Sequence, residues 1–223
     1  MKYYFIVPIA GLGKRMGLNI PKQYYRIKEK PIFISTLEVI EKNKLVDGIY
    51  ISVNKKDIKL VENYLREFKI TKVKKIVEGG SERQYSIKNA LDHIEEEAII
   101  AVQDGVRPNI RQEYIESTYE ILMAEENLDG LVVGLPLKDT VKVIDKYGFI
   151  VSTPERKTLF SAHTPQVFRS TILKEAYEKA EKDSFLGTDD SSLVERIGGR
   201  VKVYEGHADN VKITTKEDLR YFE

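Results

Sequence analysis

There is no cysteine among the 223 residues. That absence removes disulfides, thiolate metal ligands and cysteine nucleophiles together. Histidine is scarce: His93, His163 and His207 are the three present, without the H-x-x-x-H spacing of a zinc centre. No G-x-S-x-G elbow accompanies them, so Ser-His-Asp catalysis has no anchor. Neither sign of charge dominates, since 36 Lys and Arg face 35 Asp and Glu. A balance near +1 gives no general attraction for nucleic acid, and any phosphate binding must come from local clusters. Long apolar runs are also missing, so nothing in the sequence spans a bilayer. The N-terminal stretch Tyr3–Pro8 is too short for a signal peptide and has no small-residue cleavage site. A cytoplasmic chain with no membrane partner is the expectation.

What is present is enough apolar material (42%) for a real core, in a length suited to a single domain over 1–223. Strand-like and helix-like segments alternate. Tyr3–Pro8, Gly48–Val53, Val73–Val77, Ala98–Val102 and Gly130–Leu135 read as strands. Pro31–Lys42, Lys56–Phe68, Glu82–Ile94 and Gln112–Glu125 carry helical spacing between them. The pattern predicts an α/β fold: a mainly parallel sheet with helices on both faces. Ligands then belong at the carboxyl ends of the strands. After Leu135 the alternation breaks. The stretch from Asp139 through Asp145-Lys-Tyr-Gly148 to Thr153 reads as a projecting β-hairpin. Its apolar residues have little to pack on, so an arm over about 137–160 predicts a homodimer. Helices at Ser170–Lys182 and Asp189–Ile197, a strand at Arg200–Tyr204 and a short helix at Lys216–Phe222 complete the chain.

Four segments could carry chemistry. The first, Pro8-Ile-Ala-Gly-Leu-Gly-Lys-Arg-Met-Gly17, follows the first strand and leads to Pro21-Lys-Gln-Tyr24. Small residues there let backbone amides approach an anion, with Lys14, Arg15 and Lys22 nearby. One residue between Gly11 and Gly13 is not P-loop spacing, and Met16 stands where a dinucleotide fingerprint needs Gly or Ala. The second is Gly79-Gly-Ser-Glu-Arg-Gln-Tyr-Ser86, with Ser81 a candidate helix cap. The third, Gln103-Asp-Gly-Val-Arg-Pro108, puts an Asp just past a buried strand, where a metal or a substrate hydroxyl would sit. The fourth, Glu205 to Thr214, brings Asp209 and Lys212 together and suggests Mg²⁺ with charge neutralisation. Taken singly, each also fits an ordinary turn, a capped helix or a surface ion pair.

Taken in order, the blocks resemble a known family. G-x-G-x-R-M with P-K-Q-Y, then G-G-x-E-R-x-x-S, D-x-x-R-P, D-T-x-K, T-P-Q-x-F and D-N-x-K-I-T run from Pro8 to Thr214. The set is similar to the 2-C-methyl-D-erythritol 4-phosphate cytidylyltransferases, and most of it is shared with ribitol 5-phosphate cytidylyltransferases. The resemblance implies a Rossmann-like nucleotidyltransferase sheet and transfer of CMP from CTP to a polyol phosphate, with Mg²⁺ and release of pyrophosphate. It implies catalytic roles for Arg15, Lys22 and Lys212. Ile9, Ala10, Gly11, Gly13, Gly80, Glu82, Arg83 and Ser86 match nucleotide contacts. Asp104, Arg107, Thr140, Arg156 and Thr164 match substrate contacts, Thr140 and Arg156 lying on an arm that reaches a neighbouring subunit. Asp209 is the metal candidate. The stretches Asp139–Lys142 and Glu155–Phe160 favour methylerythritol over ribitol as the acceptor alcohol. A CTP-binding module without turnover is the reading from another class. Three positions depart from the family pattern: Ile9 for the usual Ala, Gln103 for the usual His, and Gly105 for another small residue.

Overall fold

A computed structural model describes residues 1–11 and 20–222 of the chain. In chain order these form β1 (Lys2–Pro8), a small hairpin of β2 (Arg26–Ile27) and β3 (Lys30–Pro31), α1 (Ile32–Lys42), β4 (Gly48–Val53), α2 (Ile58–Glu67) and β5 (Val73–Glu78). Next come α3 (Arg83–Leu91), β6 (Ala98–Val102), α4 (Gln112–Ala124), β7 (Gly130–Pro136), β8 (Val143–Ile144) and β9 (Ile150–Ser152). Then follow β10 (Phe160–Arg169), α5 (Ser170–Lys182), α6 (Asp190–Arg196), β11 (Val201–Glu205) and a terminal 3-10 segment, Lys216–Tyr221.

Seven strands make one sheet in the order β11-β7-β10-β6-β1-β4-β5. Strand β1 shows why the sheet is a middle layer. Its side chains alternate, Tyr3, Phe5 and Val7 to one face and Tyr4 and Ile6 to the other, and all are buried. The first face packs on α1, α2 and α4 through Phe33, Leu37, Val61, Leu65, Tyr114 and Ile115. The second packs on α3, α5 and α6 through Ile87, Leu91, Leu173, Tyr177 and Leu193. Strand β6 is buried along its whole length, as its unbroken Ala-Ile-Ile-Ala-Val run requires. Each fully buried Ile or Val contributes ~1.5–3 kcal/mol. The predicted three-layer α/β architecture is therefore the observed one.

One strand differs from the expected pattern. Strand β10 runs antiparallel between β6 and β7, in the centre of an otherwise parallel sheet. The register shifts between Ala162 and Gln166, and Pro165 falls in that gap. A proline cannot donate to a ladder, so it sits where the ladder is already interrupted. That interruption also hides the strand in the sequence, because the apolar alternation of Phe160–Arg169 is broken by His163, Thr164 and Pro165.

The arm is present as the hairpin β8–β9. Its turn is closed by Asp145, whose carboxylate accepts from the amides of Tyr147 and Phe149. Gly148, at φ +89°, supplies the left-handed step that the reversal needs.

Candidate active site

The carboxyl ends of β1, β4, β5 and β6 converge on a cavity of about 510 Å³, within the range of small-molecule sites. Its walls come from segments far apart in the sequence. They are Pro8–Gly11 after β1, Lys22 and Gln23, Asn54 after β4, Gly80–Arg83 with Ser86 before and in α3, Asp104–Val106 after β6, and Lys212 with Thr214 on the return from β11. Among the described residues, the expected ligand-binding loops do share the rim of the sheet.

The loop after β1 is pinned at its base. The amide of Ile9 donates to the carbonyl of Ser52 at 2.8 Å. The buried Gln23 amide donates to the carbonyls of Ile9 (2.7 Å) and Gly11 (2.9 Å). This is why Pro21-Lys-Gln-Tyr24 must accompany the glycine loop: Gln23 holds the loop and presents Lys22 beside it. The Lys22 ammonium donates to the carbonyl of Ile213 at 2.8 Å, which ties this wall to the β11 return. Gly13 and Arg15 lie outside the described residues.

The opposite wall is the start of α3. Its flanking residue is Glu82 rather than Ser81, and no side chain caps the helix. A helix start carries amide donors and a partial positive charge, both suited to an anionic or polar ligand. The Ser86 hydroxyl accepts from the Gly80 amide at 3.0 Å and donates to the Glu82 carbonyl at 3.0 Å. Ser86 thus shapes the loop from behind. Gly79 has to be glycine: a Cβ there would come within 2.2 Å of the Ala10 side chain, so the two walls touch.

The floor is Asp104, only 6% exposed. Lys212 Nζ lies 2.8 Å from one carboxylate oxygen, with Arg107 Nε at 3.4 Å from the same atom. Arg83 Nε lies 3.3 Å from the other oxygen. Burial by itself raises the Asp104 carboxyl, but Arg83, Lys212 and Arg107 together outweigh it and hold the group well below the usual carboxylate range. The Asp104 amide donates to Thr164 Oγ1 at 3.1 Å. Arg107 and Thr164 are both buried and do not line the cavity. The other end of the Arg107 guanidinium donates to the carbonyl of Asn210 at 2.7 Å, and Asn210 Nδ2 donates to the Thr164 carbonyl at 2.9 Å. These two residues brace Asp104 from behind.

Of the remaining expected site residues, three lie away from this cavity. Thr140 and Arg156 are exposed on the arm, and Arg156 donates to the Lys138 carbonyl at 2.7 Å. Asp209 does not line the cavity. Its carboxylate is engaged by Arg111 Nη2 at 2.6 Å on the outer surface, which corrects its placement beside Lys212 on the phosphate rim. Sequence reasoning passed over Gln23, Asn210 and Asp190. The first two lie inside the P-K-Q-Y and D-N-x-K-I-T motifs but carry neutral amides, which give no charge signal in a sequence. Asp190 sits in a helix that seemed merely structural.

The sequence signature of the 2-C-methyl-D-erythritol 4-phosphate cytidylyltransferase family matches residues 3–223. The chain belongs to that family. A cytidylyltransferase of that name from Fusobacterium nucleatum is 44% identical over 221 residues, covering 99% of this chain and 95% of the relative. The cytidylyltransferase of Geotalea uraniireducens is 43% identical, covering 98% and 94%. Among solved structures, the Francisella tularensis enzyme superposes with a TM-score of 0.83 at 30% identity, covering 99% of this chain and 98% of that one. The 4-diphosphocytidyl-2C-methyl-D-erythritol synthase of Anaerococcus prevotii gives 0.85 at 27%, covering 99% and 96%. The expected cytidylyltransferase activity, a nucleotidyl transfer in non-mevalonate isoprenoid biosynthesis, stands with the family. Among the described residues no helix is long and apolar enough to cross a membrane.

Proposed function

We propose that the cavity at the strand ends binds CTP together with 2-C-methyl-D-erythritol 4-phosphate and joins them in a single displacement. Ile9, Ala10 and Gly11, with Gly13, wrap the triphosphate. Gly80, Glu82, Arg83 and Ser86 shape the pocket for cytosine and ribose, the base being read largely through backbone groups. Asp104 accepts hydrogen bonds from the acceptor's hydroxyls, and Arg107 and Thr164 hold it in place. An oxygen of the acceptor phosphate attacks the α-phosphorus of CTP in line. One P–O bond forms as the bond to pyrophosphate breaks, so no enzyme nucleophile is required. Catalysis is then positioning and charge stabilisation. Lys22 and Lys212, with Arg15, supply the positive charge.

One observation carries this reading. Lys22, Arg83, Asp104 and Lys212, from four separate segments, line one cavity in a chain that matches the family from residue 3 to residue 223. That convergence favours turnover over a binding module without chemistry, because a module that only bound CTP would have no need to gather Lys22, Lys212 and the buried Asp104 at one point.

The resemblance implies Mg²⁺. Among the described residues no three Asp, Glu or His side chains gather at one point, and Asp104 is already engaged by three cations. The donor set fits a Mg²⁺ carried on the nucleotide's phosphate oxygens and water rather than one held in a protein cage. When bound, it neutralises triphosphate charge. Asp209 has no part in this reading.

The arm completes the site in trans. Val143, Ile144, Tyr147, Phe149, Ile150 and Val151 are 44–74% exposed in one hairpin, an apolar surface that a second copy would cover. Thr140 and Arg156 at its base then reach the acceptor phosphate of the neighbouring subunit. The reaction belongs in the cytoplasm, where CTP is supplied.

The test is pyrophosphate release with Mg²⁺ and CTP, run in parallel with methylerythritol 4-phosphate and ribitol 5-phosphate. Release with the first alone is expected. Release with ribitol 5-phosphate alone would move the acceptor specificity, and CTP binding without release would return the binding module.

A further inference from the structure

Arg83 is gripped from both sides. Its Nε meets Asp104 in the cavity at 3.3 Å, while its Nη2 meets Asp190 beneath the wall at 2.8 Å. Asp190 is 1% exposed, opens α6 and does not line the cavity. Both its carboxylate oxygens and its amide are used. One carboxylate oxygen takes Arg83, the other takes the Tyr177 hydroxyl, and its amide donates to Gln166 Oε1 at 3.1 Å. Tyr177 and Gln166 are themselves buried. A charge placed this far from water needs a partner that repays its desolvation, and among the described residues the one cation bonded to it is Arg83.

We propose that Asp190 is a positioning residue for the transfer reaction: it anchors Arg83 in the wall so that the Asp104 carboxylate stays open to the acceptor's hydroxyls. The shorter of the two contacts is on the Asp190 side, so the guanidinium is seated there and only brushes Asp104 through Nε. Remove the charge at 190 and Arg83 has one anion left. The fork of a guanidinium pairs with a carboxylate through two parallel bonds. Arg83 would then close on Asp104, tightening on the oxygen that its Nε now meets at 3.3 Å and competing with Lys212 and Arg107 for the other. The cavity would keep its cations and lose its acceptor. This inference rests on the assignment of Asp104 to the polyol.

The experiment compares initial-rate kinetics of wild type, Asp190→Asn, Arg83→Lys, the double variant and Asp104→Asn, each also followed by thermal melting. Asp190→Asn is expected to raise the acceptor KM about tenfold and the CTP KM by much less. Lysine cannot form the bidentate fork, so adding Asp190→Asn to Arg83→Lys should raise the acceptor KM less than threefold further. A merely structural role would lower the melting temperature and the active fraction while leaving KM in place. It would also make the effect of Asp190→Asn on KM the same in both backgrounds. Either outcome overturns the proposal. Should Asp190→Asn not fold, Tyr177→Phe frees one oxygen of the same carboxylate and lets Arg83 fork onto Asp190, away from Asp104. The acceptor KM should then stay at or below the wild-type value, and a rise of threefold or more overturns the proposal equally. Asp104→Asn separates the two layers of argument. If it leaves the acceptor KM unchanged, the role of Asp104 is at fault. If it raises that KM while Asp190→Asn does not, the role of Asp190 is.

Discussion

The cavity floor and the arm solve opposite problems. At the floor, charge is buried, and Asp104 with its three cations has each partner in the same subunit. On the arm, apolar side chains are exposed, and the hairpin is two short strands that pair with each other and with nothing else in the sheet. A two-stranded hairpin is marginal on its own. The lesson is that the floor is set by contacts within one chain, whereas in the proposed function the arm would complete the site only by association. Substitutions at the floor should therefore act on chemistry within one subunit, and substitutions on the arm should act through assembly.

The largest effect is expected at the floor side. Lys22→Ala should fold and dimerise yet lose about 10²–10³ in kcat, ~2.7–4 kcal/mol of transition-state stabilisation, since one preorganised charge contact is gone. Near-normal turnover would remove Lys22 from the machinery. On the arm, Ile144→Asp with Phe149→Asp puts two charges into the apolar surface. Light scattering should show monomers, and turnover should fall about tenfold while CTP binding, measured by titration, stays within twofold. If the monomer keeps full turnover, the arm does not complete the site and the contrast between the regions collapses.

A smaller effect sharpens the floor itself. Two of the departures from the family pattern meet here: a Cβ at position 105 would lie 2.3 Å from Ile9 Cγ2. The larger residue at 9 occupies the space that glycine leaves at 105. Gly105→Ala should cost about 1–3 kcal/mol of stability through overpacking. Adding Ile9→Ala should return most of that loss. Denaturant unfolding of the single and double variants gives the coupling directly, and simple additivity would mean that the two departures are unrelated.

These examples show what the sequence can and cannot convey. The layers were legible because β1 and β6 both carry unbroken apolar runs, the mark of strands covered on two faces. The rim was legible because parallel sheets put their loops at one end and the glycine and charge blocks fell there. Strand β10 was not legible, since Pro165 and the register shift beside it erase the period on which strand recognition depends. Asp190 was hidden for a different reason. Its partners, Arg83, Tyr177 and Gln166, lie on three other elements, and only the packing of α5 and α6 against α3 and β10 brings them together. Asp209 illustrates the converse, since proximity to Lys212 in the chain did not carry it to the cavity once Arg111 was within reach.

The smallest effect concerns the segment the sequence hid best. His163 lies in β10 behind the floor, and its Nδ1 is buried with no hydrogen-bond partner among the described residues. Burial, and then the nearby Arg107, disfavour its charged form, while Asp104 only partly offsets them, so its pKa falls to about 4 from an ordinary value of 6.5. The unfolded chain therefore binds a proton more readily than the folded one. The folded state is fully favoured above about pH 6.5, and this advantage drains away as the pH falls toward 4. The floor carboxylate acts in the same direction in a lower window: with its pKa depressed, Asp104 contributes stability that is present above its unfolded value of about 3.9 and is lost only in stronger acid. Melting curves from pH 7 to pH 4.5 isolate the histidine. His163→Gln should flatten the fall in melting temperature across that window by a few degrees and change turnover at pH 7.5 less than twofold. An unchanged slope would mean that His163 is solvated in the folded state, and that the floor is less sealed from behind than its hydrogen bonds require.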